Sequence, residues 1–187
     1  MDHNSELEYI GQVINGETRL YAYFLQEYSD QVYRMIKRII GSPEESEELT
    51  QDVFLKAYGK LSSFNGDSRF STWLLRIAYN MAISAVRKKR VIYPVIKEEM
   101  LDLVADNDVD LIFDSDPGEE LLLKLEKAVT LLPPEENVLL SMYYNEDRSV
   151  NDIASILGQS ESNVKIRLYR IRKKLFLMVK QEEDEQG

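Results

Sequence analysis

An all-α fold is predicted for this chain, and three observations predict it. Apolar residues recur three or four positions apart in segment after segment, no stretch alternates in the way a strand would, and glycine and proline fall between the periodic segments rather than inside them. A run of acidic residues near the middle then divides the helices into two groups.

In chain order, Leu7 to Ile14 is a short periodic segment that stops at Asn15-Gly16. Leu20 to Ile40 is a long helix with Leu20, Phe24, Tyr28, Val32, Met35, Ile36 and Ile39 on one side, ended by Gly41. The next helix is signalled by Ser42 as cap, Pro43 at the first helical position and Glu45 three after the serine, the spacing of a capping box, and it runs to about Tyr58. Phe64 to Ser71 is a turn-rich loop. Leu121 to Leu132 is a helix halted by Pro133-Pro134, and Glu135 to Tyr144 is another.

Composition removes several classes of function. Among 187 residues there is no cysteine, so disulfides and thiolate metal sites are excluded, and the single histidine, His3, stands in a polar N-terminus. Neither zinc nor histidine-based catalysis has the residues it needs, no cofactor is implied, and an enzyme would be left with carboxylate chemistry alone. No apolar run approaches membrane-spanning length and the N-terminus lacks the basic start and apolar core of a signal peptide, so direct membrane insertion is not expected and a cytoplasmic location is.

The net charge of -10 is unevenly spread. Between Glu98 and Glu120 there are ten acidic residues and no lysine or arginine, and Glu182, Glu183, Asp184 and Glu185 add four in the tail, so the rest of the chain carries +4. Two basic clusters, Arg87 to Arg90 and Lys165 to Lys174, stand on that positive remainder. The acidic stretch reads as a linker outside any core, with room for a transient turn of helix, or as a solvated loop; extended, it could reach on the order of 70 Å, about two turns of DNA.

Phe70 to Arg90 (FSTWLLRIAYNMAISAVRKKR) is the stretch around which the rest is organised. On a helical period Phe70, Leu74, Ile77, Met81 and Ala85 form a core stripe, and Trp73, Arg76, Asn80, Ser84 and Arg87 form a neighbouring face. An aromatic ring, an amide and two guanidinium groups beside a basic end offer stacking, base-edge hydrogen bonds and phosphate charge. Taken alone, the same helix could equally be an amphipathic core helix with a solvated basic end. Val150 to Arg172 (VNDIASILGQSESNVKIRLYRIR) has the spacing of a helix-turn-helix: small Ala154, Gly158 in the turn, Val164 returning an apolar contact, and Ser160 placed to cap the second helix. Its outward positions are Ser162, Asn163, Lys165, Ile166, Arg167, Tyr169 and Arg170, with Arg172, Lys173 and Lys174 beside the phosphates.

With these patterns in place, the chain resembles a bacterial sigma factor of the extracytoplasmic-function (ECF) group of the sigma-70 family, from about Gly16 to Val179. Glu48 to Tyr58 (ELTQDVFLKAY), Phe64 to Arg90 and Leu131 to Leu175 carry the likeness in order and spacing. The resemblance implies two small helical domains, a sigma-2 bundle over 17–95 and a sigma-4 helix-turn-helix over 121–180, joined by the flexible acidic linker 96–120 and flanked by an N-terminal segment 1–16 and a tail 181–187. It implies no catalysis. It implies that Gln51, Asp52 and Phe54 dock on the clamp helices of the largest subunit of core RNA polymerase, with the flap of the second-largest subunit as a further partner. Phe64, Phe70, Trp73, Arg76, Asn80, Arg87 and Lys88 would receive the melted minus-10 strand, with Asn80 near a flipped base, and Ser162, Asn163, Lys165, Ile166, Arg167, Tyr169, Arg170 and Lys173 the minus-35 duplex. An anti-sigma factor is a further implied partner.

The chain departs from the family's usual pattern at Glu161-Ser162-Asn163, at Ile166 and at Ser84, so the minus-35 sequence does not carry over. The linker acids could imitate nucleic acid in a positively charged polymerase channel. Two other readings remain: a stand-alone helix-turn-helix regulator, which needs neither the Gln51/Asp52/Phe54 motif nor the Trp73/Asn80 helix, and a protein-binding helical adaptor, which salt-dependent DNA binding would rule out.

Overall fold

A computed structural model describes residues 3–89, 93, 96–105, 109 and 118–186, with side chains described as far as 181. Arg90, the linker acids Asp106, Asp108, Asp110, Asp114 and Asp116, and the side chains of the acidic tail lie outside the described residues.

The helices are α1 (His3–Ile14), α2 (Tyr21–Ile40), α3 (Pro43–Gly59), α4 (Phe70–Arg87), α5 (Glu98–Asp102), α6 (Glu119–Thr130), α7 (Pro134–Tyr144), α8 (Val150–Leu157) and α9 (Glu161–Gln186), with 3-10 turns at Thr18–Leu20 and Leu61–Ser63. Among the described residues there is no strand. Two compact units result, Met1–Arg90 with Asn151–Ser160 and Val91–Val150 with Glu161–Gly187.

In the first unit α2, α3 and α4 pack pairwise, and α1 leans on α2. Phe24, Val32, Ile36, Val53, Phe70 and Leu74 are fully buried between them. Burying each such side chain contributes about 1.5–3 kcal/mol, which is what holds so short a bundle together. The start of α3 follows its sequence signal: Ser42 is extended and its Oγ accepts from Glu45 N at 3.4 Å, with Pro43 at the first helical position. The capping box is not closed reciprocally, because the Glu45 carboxylate pairs with Lys89 Nζ instead. The hydroxyls of Ser46 and Thr50 donate to carbonyls one turn back, which lets both sit buried.

The core row of α4 is displaced from the expected one. Leu74, Leu75, Ala78, Tyr79, Ala82 and Ile83 are buried, whereas Ile77, Met81 and Ala85 are only half-buried. A helix wedged between two others buries a broad arc, and at about 100° per residue that arc is centred on Ala78 and Ala82 rather than on a single row.

In the second unit α6, α7 and the first half of α9 enclose Ala128, Leu132, Val138, Leu139, Met142, Val164, Leu168, Ile171 and Leu175. The start of the acidic segment differs from a linker outside any core: it forms α5, packs on α9, and buries Leu101 and Val104.

Candidate nucleic-acid and polymerase interfaces

Five α4 side chains expected to share a face do so. At about 100° per residue Trp73, Arg76, Asn80, Ser84 and Arg87 fall within roughly 80° of arc, and Arg76, Asn80, Ser84 and Arg87 are exposed while Trp73 is half-buried. Asn80 Nδ2 donates to the Arg76 carbonyl at 2.8 Å and Ser84 Oγ to the Asn80 carbonyl at 2.7 Å, so both short polar side chains rest against their own helix.

Behind that face lies an aromatic stack. The Trp73 ring is 5.4 Å from Phe64 and 5.6 Å from Phe70, and Phe70 in turn is 4.6 Å from Phe24. Phe70 carries two expectations, the core stripe of α4 and the melted strand; at 0 % exposed it meets the first and cannot meet a base. Four aromatic neighbours, Phe24, Tyr28, Phe64 and Trp73, enclose it, and its role is to seat Trp73. Phe64, at 9 %, offers only an edge.

The same unit contains α8 and the turn that follows it. Gly158 adopts φ +66, and Gln159 N donates to the Ala154 carbonyl at 3.0 Å, closing a Schellman-type end on α8. A Cβ at Gly158 would stand 3.4 Å from the Arg76 guanidinium, and Thr72 Oγ1 lies 3.4 Å from Asp152 Oδ1, so part of the α4 surface faces α8.

On α3, Gln51 and Asp52 are exposed. Phe54, expected as an exposed aromatic beside the carboxylate, is 4 % exposed, and its carbonyl accepts from the Tyr21 hydroxyl at 2.7 Å. It points into the bundle because it follows Val53 and precedes Ala57 on the buried arc. The exposed apolar groups beside Asp52 are Leu55, 71 % exposed, and Tyr58. Their spacing from Gln51, four and seven residues on, was the available signal. Burial drives the Tyr21 hydroxyl well above the ordinary tyrosine range, as it does for Tyr28, whose hydroxyl donates to the buried Glu6 carboxylate.

On α9, Ser162, Asn163, Lys165, Ile166, Tyr169 and Arg170 are exposed and Arg167 is half-buried, its NH2 donating to the Glu135 carbonyl at 3.3 Å. Arg170 NH1 bonds Glu98 Oε1 at 2.9 Å, and Lys174 Nζ pairs with Glu136. Lys173, expected beside the phosphates, is instead buried, with Nζ 4.6 Å above the Tyr169 ring one turn back, so its ammonium rests on that ring rather than on phosphate. Among the described residues no group of three or more acidic, histidine or cysteine side chains could hold a metal ion, and no helix is long and apolar enough to cross a membrane.

Helices in two units, one carrying an aromatic and amide face on α4 and the other an exposed basic face on α9, suit a nucleic-acid-binding protein. The comparisons give the family. Residues 24–91 match Sigma-70 region 2 and residues 122–175 match Sigma-70, region 4. The chain is 30% identical over 172 residues to the ECF RNA polymerase sigma factor SigW of Bacillus subtilis, covering 89% of this chain and 92% of that one. It is 26% identical to the RNA polymerase sigma-H factor of Pseudomonas aeruginosa, covering 92% of each. Among solved structures, CnrH in complex with the cytosolic domain of CnrY superposes with a TM-score of 0.60 at 19% identity over 89% of this chain and 92% of that one, which shows a shared fold. The sigma factor RpoE in complex with NepR from Bartonella quintana gives 0.59 at 21% over 86% and 96%. The chain belongs to the ECF sigma factors of the sigma-70 family, promoter-specificity subunits of RNA polymerase, and the stand-alone regulator is not favoured.

Proposed function

We propose that the two units divide promoter recognition between melted and double-stranded DNA, with no catalytic step of their own and in the cytoplasm. Region 17–95 holds core polymerase and the minus-10 strand; region 121–180 holds the minus-35 duplex. The observation that carries this reading is the composition of the α4 face: a ring seated on Phe64 and Phe70 next to an exposed amide and two exposed guanidinium groups. A base turned out of its stack needs a π surface and hydrogen bonds on its pairing edge, and Trp73 with Asn80 and Arg76 supplies both kinds of group. Arg87 and Lys88, exposed at the end of the helix, would take the phosphates.

Core polymerase docks on the exposed stripe Gln51, Asp52, Leu55 and Tyr58, which joins a carboxylate to an apolar anchor; Phe54 supports that stripe from below. On α9, Lys165, Ile166, Tyr169 and Arg170 read the duplex, with Ser162 and Asn163 at the leading end. The solved relatives bound to CnrY and NepR, the latter named as an anti-sigma factor, support an anti-sigma partner for this chain as well.

The test is transcription by purified bacterial core polymerase on fragmented DNA of the source organism, with start sites mapped with and without the protein. New starts sharing two upstream motifs are expected, and Asp52→Ala should reduce them by weakening core binding. Unchanged starts would refute the reading.

A further inference from the structure

Three cations line one edge of α9 at Arg167, Arg170 and Lys174, spacings of three and four that place them above one another. Each is engaged: Arg167 by the Glu135 carbonyl, Lys174 by Glu136, and Arg170 by Glu98. The first two partners belong to α7, part of the same helical core. Glu98 does not. It opens α5, the start of the acidic segment, which is held to α9 by a different kind of contact.

Leu101 is 5 % exposed, and it lines with Ile171, Arg167 and Arg170 a recess closed by Glu98 and Ile96. Val104, also buried, continues the apolar anchor. The ion pair above that anchor is open to water, with side-chain exposures of 54% for Arg170 and 74% for Glu98. An exposed pair of this kind is screened by salt and easily exchanged for another anion. A DNA phosphate offers Arg170 the same chemistry as the Glu98 carboxylate, with neighbouring phosphates to add to it.

We infer that α5 is an intramolecular stand-in for the DNA backbone: it occupies the Arg167–Arg170 edge of α9 through Glu98 and Leu101 and must leave before a duplex can engage that edge. The acids Glu99 and Asp102 on the same short helix raise the local negative potential, so a duplex approaching α9 meets repulsion until α5 departs. Duplex affinity in the free protein is thereby reduced by the fraction of molecules in which α5 is bound. Any partner that draws the acidic segment elsewhere, a basic channel for example, would release the edge. The inference rests on the reading of α9 as the duplex-binding helix.

Leu101→Ala is the informative variant because it weakens the anchor without altering charge. Binding of the full chain to a labelled 30-base-pair duplex of mixed sequence would be measured by anisotropy, at fixed salt, in four forms: unmodified, Leu101→Ala, Arg170→Gln and the double variant. The expected result is binding about fivefold tighter for Leu101→Ala, with that gain lost when Arg170 is already replaced. Glu126→Gln, which removes one exposed acid from α6, should change affinity by less than about twofold. Amide exchange supplies a second readout: the amides of Met100 in α5 and of Val104 just after it, which donate to the Lys97 and Leu101 carbonyls, should lose protection when the unmodified protein is saturated with duplex. A gain from Leu101→Ala that persists without Arg170, no gain at all, or α5 protection unchanged at saturation would each overturn the inference. Lys165→Gln separates the underlying reading, since Lys165 lies on the opposite flank of α9. If Lys165→Gln leaves duplex affinity unchanged, α9 is not the duplex-binding helix and the inference falls with that reading.

Discussion

Helices α4 and α9 both present nitrogen-rich faces, yet they are built differently. The α4 face is backed by rings, Trp73 on Phe64 and Phe70, and its amide rests on its own backbone. The α9 face is made of long cationic side chains, several already paired with oxygen. Stacking on a preformed ring depends on shape and little on salt, whereas charge exchange with phosphate depends steeply on salt. The contrast fits one surface to an unstacked strand and the other to an intact double helix.

Removing the ring should have the largest effect. Trp73→Ala takes away a stacking surface worth about 1–3 kcal/mol per base, so open-complex formation should fall by roughly fivefold to 150-fold, read by single-round transcription, with duplex binding by α9 unchanged. Next comes the docking stripe: Leu55→Ala should weaken core-polymerase binding by about tenfold, measured by fluorescence titration, where Leu49→Met, half-buried on the same helix, should not. On α9, Lys165→Gln should lower the slope of log K against log salt for duplex binding by about one, a change that no α4 variant should produce. The smallest effect on promoter recognition is expected from a change that acts on stability alone. Tyr28→Phe removes the hydroxyl that donates to buried Glu6 and should cost the first unit about 1–3 kcal/mol in urea unfolding.

Alkaline titration sharpens the same contrast between buried and open aromatic groups. Burial, and for Tyr28 the neighbouring Glu6, raises the ionisation of Tyr21 and Tyr28. A hydroxyl whose ionisation is raised on folding contributes stability below the ordinary tyrosine range, and loses it as pH climbs through and beyond that range. Absorbance at alkaline pH should therefore show these two phenolates forming only above that range or as the first unit unfolds.

Much of this was legible in the sequence. Ser42-Pro43 fixes the start of α3, Gly41 and Gly158 end α2 and α8, and the exposed row of α4 follows from its period. What escaped depends on neighbours. Period alone does not say which arc of a helix its neighbours cover, so the row through Ile77 and Met81 reads as core whereas the buried arc of α4 is centred on Ala78 and Ala82. Phe54 reads as an available aromatic until the helices pack around it, Phe70 follows its place in the apolar stripe rather than its place beside the strand, and Lys173 reads as a phosphate contact until the fold sets its ammonium over the Tyr169 ring. The packing of α5 was hidden by composition: ten acids without a base read as linker with at most a turn of helix, and only the fold brings Arg170 to Glu98 and buries Leu101 against α9.

Footprinting of the reconstituted polymerase on one of its promoters separates the roles of α4 and α9, using permanganate for unpaired thymines and nuclease protection for the upstream duplex. Asn80→Ala should lose thymine reactivity while upstream protection persists, and Lys165→Gln combined with Arg170→Gln should lose upstream protection first. If both variants lose both signals in parallel, or if their effects are exchanged, the two faces do not divide the promoter in this way.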